Sequence, residues 1–332
     1  MNGAYLPYHL RHNKAIERQI FIDLLSLVHR EEPMSRYTYI GFGGPLLEDF
    51  RAIHTQLGIK RMISLELNPD VIPRQKFNRP HKCIEVKNIS SSEYISSLKV
   101  NKRLLFWLDF TSPADLGKQL GDFEALITKL QSFDVVKITL NANLKMLTPS
   151  CWVGTPEECA QERLKTLRKR GGPYVDDSIN TAMMSHGEYP KALARLLQRA
   201  ANGGLSGRPN LVFQPLATFV YSDSSPMMTL TGIILKETER NTFLDKTTIS
   251  SWDLRSLEWG TYREIAVPIL SVRERLKIDR LLPTGSDKGI FRTLGFKIAD
   301  DGDMNGENAT ELALKNYREY YRHLPYFSRI VV

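Results

Sequence analysis

Residues 37–44 read Tyr-Thr-Tyr-Ile-Gly-Phe-Gly-Gly, a strand-like run that ends in glycines. The first four residues are aromatic or β-branched, which suits a pleated, buried strand. The glycines permit a tight turn and let the backbone approach a ligand closely. Leu46-Leu47-Glu48-Asp49-Phe50-Arg51-Ala52-Ile53-His54-Thr55-Gln56-Leu57 then has helical periodicity and stops at Gly58. Strand, glycine loop and helix in this order put backbone N–H groups at a helix N-terminus, where negative charge is favoured.

Downstream the alternation repeats. MISLEL (62–67) reads as a short apolar strand and PDVIPRQKFN (69–78) as a helical turn. CIEVKN (83–88) is a third strand, and SSSEYISSL (90–98) a short helix opened by serine caps. LLFWLDF (104–110) has the unbroken apolarity of a strand buried on both faces. DFEALITKLQ (122–131) is a helix and DVVKITLNAN (134–143) a fifth strand, and helices follow over 156–170 and 188–202. LVFQPLATFVY (211–221) and MMTLTGIILK (227–236) form a hairpin about the turn SDSSP. The fold class is therefore α/β: a doubly wound, Rossmann-like sheet of five parallel strands with a terminal antiparallel hairpin.

Upstream, Ile16, Ile20, Leu24, Leu25 and Val28 give residues 12–30 an amphipathic helical pattern with a basic start. Beyond 236 the pattern weakens to helices near 268–282 and 308–323. The expected organisation is an N-terminal helical segment (1–30), a sheet domain (31–236) and a C-terminal helical appendage (237–332). The stretch 144–208 is an insertion between the fifth strand and the hairpin.

Composition narrows the classes. With 332 residues, 42% hydrophobic and 25% charged, the chain is neither disordered nor collagen-like. Lys+Arg 45 against Asp+Glu 37 leaves +8, which permits an anionic partner without requiring one. Cys83, Cys151 and Cys159 are odd in number and widely spaced, against a disulfide framework or a cysteine-based zinc site. The first residues lack an apolar leader core, and no stretch approaches the roughly 20 apolar residues of a membrane helix. A cytoplasmic protein without membrane association is expected; oligomeric state has no signature.

Glu66 closes the second strand, 25 residues after Gly41. In doubly wound folds an acid there accepts hydrogen bonds from a ribose diol. The dinucleotide fingerprint would need a third glycine at position 46, which is leucine. A nicotinamide-dependent oxidoreductase is therefore disfavoured. In the plainer reading, Gly41 and Gly43 only make a turn and Glu66 is a solvated strand end.

This pattern resembles the class I S-adenosyl-L-methionine (AdoMet) dependent methyltransferases. The resemblance covers about 30–236 and implies AdoMet as cofactor. It implies that Gly41, Phe42, Gly43 and Gly44 hold the methionine part and that Glu66, beside Leu67, holds the ribose. The end of the third strand, Asn88 and Ile89, would lie by the adenine, and that of the fourth, Asp109 and Phe110, would face the methyl group. Tyr39 stands where the commonest loop of that family has an acid. A closer resemblance is to bacterial proteins labelled O-methyltransferases. It rests on Leu10-Arg11-His12-Asn13-Lys14-Ala15-Ile16-Glu17-Arg18, on Tyr39 to Gly43 and on Trp107-Leu108-Asp109-Phe110.

Methyl transfer needs an in-line nucleophile, and proximity supplies much of the rate. A general base matters when the acceptor is a hydroxyl or an ammonium. Asp109 is the candidate base, its plain alternative being a helix N-cap. Asn141 and Asn143 are candidate substrate-orienting groups, or merely satisfy a loop. Neutral amides hold a divalent cation weakly, so no catalytic metal is expected. His9, His12, His29, His54, His81, His186 and His323 have no metal-binding spacing, and Asp301–Gly306 echoes a calcium loop without its closing bidentate glutamate. Arg11 and Lys14 either belong to a lid over the cofactor or start a solvated helix. Arg163, Lys165 and Arg168 belong to a run with five basic residues in eight (163–170). That run either grips phosphates of the acceptor or is a solvated helix end, where cations are favourable.

The expected function is an AdoMet-dependent methyltransferase whose acceptor is unknown, a nucleic acid or nucleotide or a small hydroxylated molecule. The alternative is a regulatory module that binds AdoMet or another adenosine compound without turnover.

Overall fold

The structure, a computed structural model, describes residues 11–149, 152–299 and 309–324. Among them the chain divides into two compact units. The first comprises Phe21–Val220 and Ser224–Arg263; the second comprises 11–20, Tyr221–Asp223 and the described residues from Glu264 onward. Helix α1 (His12–Val28) begins in the second unit and ends in the first. Of the expected appendage, 237–263 belongs to the first unit and the rest to the second.

The first unit alternates strands and helices. These are β1 (Tyr37–Gly41), α2 (Glu48–Leu57), β2 (Arg61–Glu66), α3 (Ile72–Asn78), β3 (Ile84–Asn88), α4 (Ser91–Ser97), β4 (Arg103–Asp109), α5 (Leu116–Lys129) and β5 (Val135–Asn141). Then come α6 (Pro156–Gly171), α7 (Tyr189–Leu205), β6 (Leu211–Ser222), β7 (Pro226–Lys236) and α8 (Arg240–Lys246). The sheet order is β3-β2-β1-β4-β5-β7-β6. β1 to β5 are mutually parallel, and β7 lies antiparallel to β5. A short strand, β8 (Arg263–Ile265), starts at the unit's last residue. The α/β architecture read from the sequence is thus observed.

Both sheet faces are buried, as the apolar strands require. On one face Ile40, Phe106, Leu108, Val136 and Ile138 pack with Leu120 and Phe123 of α5 and Leu193 and Leu196 of α7. On the other, Tyr39 meets Phe50 of α2 and Trp107 meets Phe21 of α1, both edge to face, with centroids 4.7 and 5.4 Å apart. Lys137 of β5 is wholly buried on this face, its Nζ 4.0 Å from the Phe21 ring centroid and 4.1 Å from that of Trp107. A desolvated ammonium there is held by the negative ring faces.

Local chemistry sets the helix ends. Ser90 and Glu93 form a reciprocal capping box on α4, and the Ser90 hydrogen bonds hold the Glu93 carboxyl below its ordinary range. α2 stops at Gly58 in the left-handed region. α5 starts at Leu116, six residues before the apolar pattern that begins at Asp122. Gly117 and Gly121 weaken the helical signal there, but Leu116, Gln119 and Leu120 are buried. A Cβ on Gly117 would lie 2.8 Å from the Arg170 carbonyl oxygen, so the end of α6 packs directly on this turn.

In the second unit Asp223 caps α1. Its Oδ1 and Oδ2 accept the backbone N–H groups of Asn13 and Lys14, each at 3.0 Å. A carboxylate there offsets the unfavourable basic start of the helix. The Asn13 side chain donates to Ser222 O and accepts from Val267 N, both at 3.0 Å. Arg18 donates to Glu17 and to the Tyr221 hydroxyl. The remaining helices are α9 (Val272–Asp279), α10 (Asp287–Leu294) and α11 (Ala309–Tyr320). Tyr317 OH donates to Asp279 across 2.7 Å, and burial helps push its phenol pKa well up. The calcium-loop echo at 301–306 lies outside the described residues, as do Cys151 and His9.

Candidate active site

Because β1 to β5 are parallel, their carboxyl ends share one edge of the sheet. Chain order reverses around β1, which has β2 on one side and β4 on the other. Ligands of doubly wound sheets bind at such a switch point. Gly41 ends β1, Glu66 β2, Asn88 β3, Asp109 β4 and Asn141 β5. The five candidates from separate stretches of sequence therefore stand along one edge.

The glycine loop is held by side chains that the sequence reading missed. Gly43 N donates to Ser64 Oγ at 3.2 Å. Gln75 Nε2 donates to Gly44 O at 2.9 Å, and Asn78 Nδ2 to Pro45 O at 2.9 Å. Ser64 and Gln75 are both wholly buried and meet at 3.4 Å. The available signal was a serine inside the apolar strand MISLEL and a glutamine on the inner face of the next helix. A Cβ on Gly43 would come within 2.1 Å of Leu47 Cδ2 and 2.6 Å of Ser64 Oγ, so Leu47 and Ser64 would have to shift to admit a larger residue. Gly44 has φ +52 with nothing near its missing Cβ; there glycine answers a backbone demand.

Tyr39, in place of the acid of the commonest loop, is buried. Its hydroxyl occupies the space beside Gly41, 2.7 Å from where a Cβ would stand. Carboxylates appear instead in the next element: Glu48 and Asp49 fill the first turn of α2. Two acids there oppose a second anion, so this helix end is unsuited to a pyrophosphate and the dinucleotide reading weakens further.

Glu66 Oε1 accepts from Asn68 N at 2.8 Å. Asn88 Nδ2 donates to Glu66 O and Leu67 O, and Ile89 N also donates to Glu66 O, tying the ends of β2 and β3 together. Leu67 is 68% exposed, an apolar group offered to solvent beside an acid. Phe42 and Phe110, both half-buried, pack edge to face with centroids 5.6 Å apart, joining the end of β1 to that of β4. With Ile89 they extend the core to the edge of the sheet.

Asp109 is half-buried at the end of β4. It is not the cap of the following helix, whose N-cap is Asp115. Asn141 Nδ2 donates to Thr111 O at 3.3 Å and its Oδ1 accepts from Asn143 N at 3.0 Å. Asn143 donates to Ser225 Oγ and accepts from Lys145 N, capping a short 3-10 turn. Both amides thus organise the loop after β5. In the basic run, Arg163 donates to Thr148 Oγ1 and Met184 O, and Arg170 to Pro113 O. Lys165 is exposed and pairs with Glu162 at 3.3 Å, and Arg168 is exposed. Three of its cations lie in the last turn of α6, where they complement the macrodipole.

Among the described residues no group of three or more histidines, cysteines and acids is arranged to hold a metal ion. No described helix is long and apolar enough to cross a membrane.

No curated protein matches the chain. Solved structures with a loose likeness include the N-methyltransferase NodS from Bradyrhizobium japonicum WM9, 10% identical, covering 67% of this chain and 97% of NodS with a TM-score of 0.37. The fibrillarin pre-rRNA processing protein of Methanococcus jannaschii is 12% identical, covering 62% of this chain and 70% of its own, with a TM-score of 0.35. Scores this low carry no argument about function. The family match does: it runs from residue 6 to residue 332, and on it the chain belongs to the family described as "Putative O-methyltransferase".

Proposed function

We propose that the protein transfers a methyl group from AdoMet to an acceptor held at the carboxyl edge of the sheet. The observation that carries this is the alignment of Gly41–Gly44, Glu66, Asn88 and Asp109 along that edge, on strands flanking the switch point. The loop Gly41–Gly44 receives the methionine part, and the Glu66 carboxylate the ribose diol. Leu67 and Ile89 flank the adenine, with Asn88 tying the ends of β2 and β3 beside them. The acids of the first α2 turn suit a ligand whose reactive end is cationic.

Asp109 is the general base. A hydroxyl acceptor gains nucleophilicity when a carboxylate takes its proton as the new bond forms. Asn141 and Asn143 shape the acceptor side by holding the loop after β5. The acceptor is a hydroxylated small molecule or a nucleotide, and Arg163, Lys165 and Arg168 bear on the second class. Arg163 acts there through the loop it anchors, the other two through exposed charge.

Isothermal titration with AdoMet tests the cofactor: folded protein showing no binding at high micromolar concentration overturns the proposal. Radiolabelled methyl transfer to RNA, DNA, protein and metabolite pools tests turnover. Asp109→Ala is expected to lower transfer by about 100-fold, within the range of general-base catalysis; full activity removes Asp109 as base. The amide-held loop also favours a second reading, binding without turnover, because both asparagines are engaged by the protein. AdoMet binding with no transfer to any pool decides for it.

A further inference from the structure

We propose that the outer face of α3, with the turns that precede β2 and β3, is a docking surface for single-stranded RNA. Phe77 is its platform for one base, and the cations around it are its phosphate contacts. The inference rests on charge and exposure, not on the methyl-transfer reading, and it points to a surface other than the run at 163–170.

Three observations lead to it. First, charge is concentrated there. Residues 51–82 hold seven lysines and arginines against two acids, Glu66 and Asp70, which is most of the chain's surplus of +8. Arg51, Lys60, Arg61, Lys76, Arg79 and Lys82 are all exposed, and none of the six forms an ion pair among the described residues. The next acid along the chain, Glu85, pairs with Lys87 at 3.3 Å. The run at 163–170 differs, because Lys165 has Glu162, and Arg163 and Arg170 donate to protein oxygens. Second, contacts gather these cations at one corner of the sheet. The His54 and His81 rings lie with centroids 4.3 Å apart, joining α2 to the turn before β3. Burial, His54 and the Arg51 charge together lower the His81 pKa, so Arg51 faces this turn, where Lys82 follows His81. His54 Nδ1 donates to Ile59 O at 2.8 Å, which brings Lys60 alongside, and Arg79 donates to Ile84 O at 3.4 Å. Third, Phe77 is 89% exposed on α3, beside Lys76 and two residues before Arg79. Gln75 and Asn78 use the inner face of the same helix to hold the glycine loop, so the exposed ring is left out of the fold while its helix adjoins the candidate site.

Cations that track phosphates and an aromatic face on which a base stacks are the two parts of a single-strand site. A duplex hides its base faces, whereas bases splayed from RNA loops and ends stack on such side chains. A membrane surface fits less well, because an interfacial helix carries a stripe of apolar residues and α3 exposes one large apolar side chain among cations. An acidic protein would engage the cations and leave the ring without a partner.

The test is fluorescence anisotropy of a short, unstructured, labelled RNA over a range of salt concentrations. The proteins are wild type, Phe77→Ala, Phe77→Trp and the combined Lys60→Glu, Lys76→Glu, Lys82→Glu variant. All four positions are exposed, and thermal unfolding checks that each variant folds. Phe77→Ala is expected to weaken RNA about tenfold and Phe77→Trp, which keeps a ring, to bind as wild type does. The charge variant should weaken RNA more than about tenfold and flatten the log–log salt dependence by about 2. Wild-type protein that binds no RNA at low salt overturns the proposal, as does binding that survives both kinds of substitution. Duplex RNA bound as tightly as the single strand, or tighter binding of the same sequence as DNA, overturns it too. Competition by polyglutamate as effective as by unlabelled RNA assigns the surface to an acidic protein instead. AdoMet titration of the same variants should stay within about twofold of wild type, so failure here leaves the methyl-transfer reading standing.

Discussion

Two stretches of this chain look alike as sequence and behave differently in the fold. The glycine loop, 41–47, and the N-terminal segment, 11–18, are both dense in distinctive residues, and both overlap motifs of the resemblance to the bacterial proteins labelled O-methyltransferases. In the segment, polar groups face protein partners: Asn13 bridges Ser222 and Val267, Asp223 closes the helix N-terminus, and Arg18 meets Glu17 and Tyr221. In the loop, buried side chains hold the backbone from behind, while the strand end opens at the switch point. A dense motif can thus be a joint or a site. What separates the two is whether its polar groups are spent on the fold.

The contrast can be broken by substitution. The largest effect is expected at Gly43→Ala, whose Cβ collides with Leu47, Ser64 and Phe50. It should cost roughly 1–3 kcal/mol, as overpacking does, and weaken AdoMet more than about tenfold; thermal unfolding and calorimetry read the two. Asn13→Ala should cost a similar roughly 1–3 kcal/mol by stranding buried polar groups, yet leave AdoMet affinity within about twofold. A parallel loss of affinity would make the segment part of the site after all. Gly41→Ala should destabilise less in a Tyr39→Phe background, because the phenol oxygen is the nearest obstacle; a double-mutant cycle should show a coupling of about 1 kcal/mol. Asp223→Ala removes a helix cap and should lower stability by about 1 kcal/mol. The smallest effect is expected for Lys165→Glu with Arg168→Glu, both exposed on α6: a stability change within roughly 0.5 kcal/mol and unchanged AdoMet affinity. Weakened acceptor use in that variant would assign the basic run to substrate.

Most of the sheet was legible because its strands are apolar on both faces and punctuated by glycine, proline and serine. The hairpin Leu211–Ser222 with Pro226–Lys236 and the five strand ends emerged from that pattern. The start of α5 did not, because Gly117 and Gly121 lower local helical propensity while Leu116 and Leu120 supply tertiary burial that a local reading does not register. The supports of the glycine loop were hidden for a related reason. Ser64, Gln75 and Asn78 are unremarkable singly, and their role exists only once β2 and α3 lie beside the loop. The five basic residues at 163–170 read as one cluster, but Arg163 and Arg170 are partly spent on carbonyls and a hydroxyl of neighbouring loops.

The place of β7 carries a consequence for biosynthesis. It sits between β5 and β6, although β6 precedes it in the chain. On a ribosome, β6 therefore emerges before the strand that links it to β5, with a twelve-residue run whose middle is apolar and made for burial. Until Pro226–Lys236 follows, β5 is an open edge and β6 an unpaired strand, a state prone to pairing with other chains. Nascent chains in which β6 has left the ribosome and Pro226–Lys236 has not should be those of this protein that most need a chaperone.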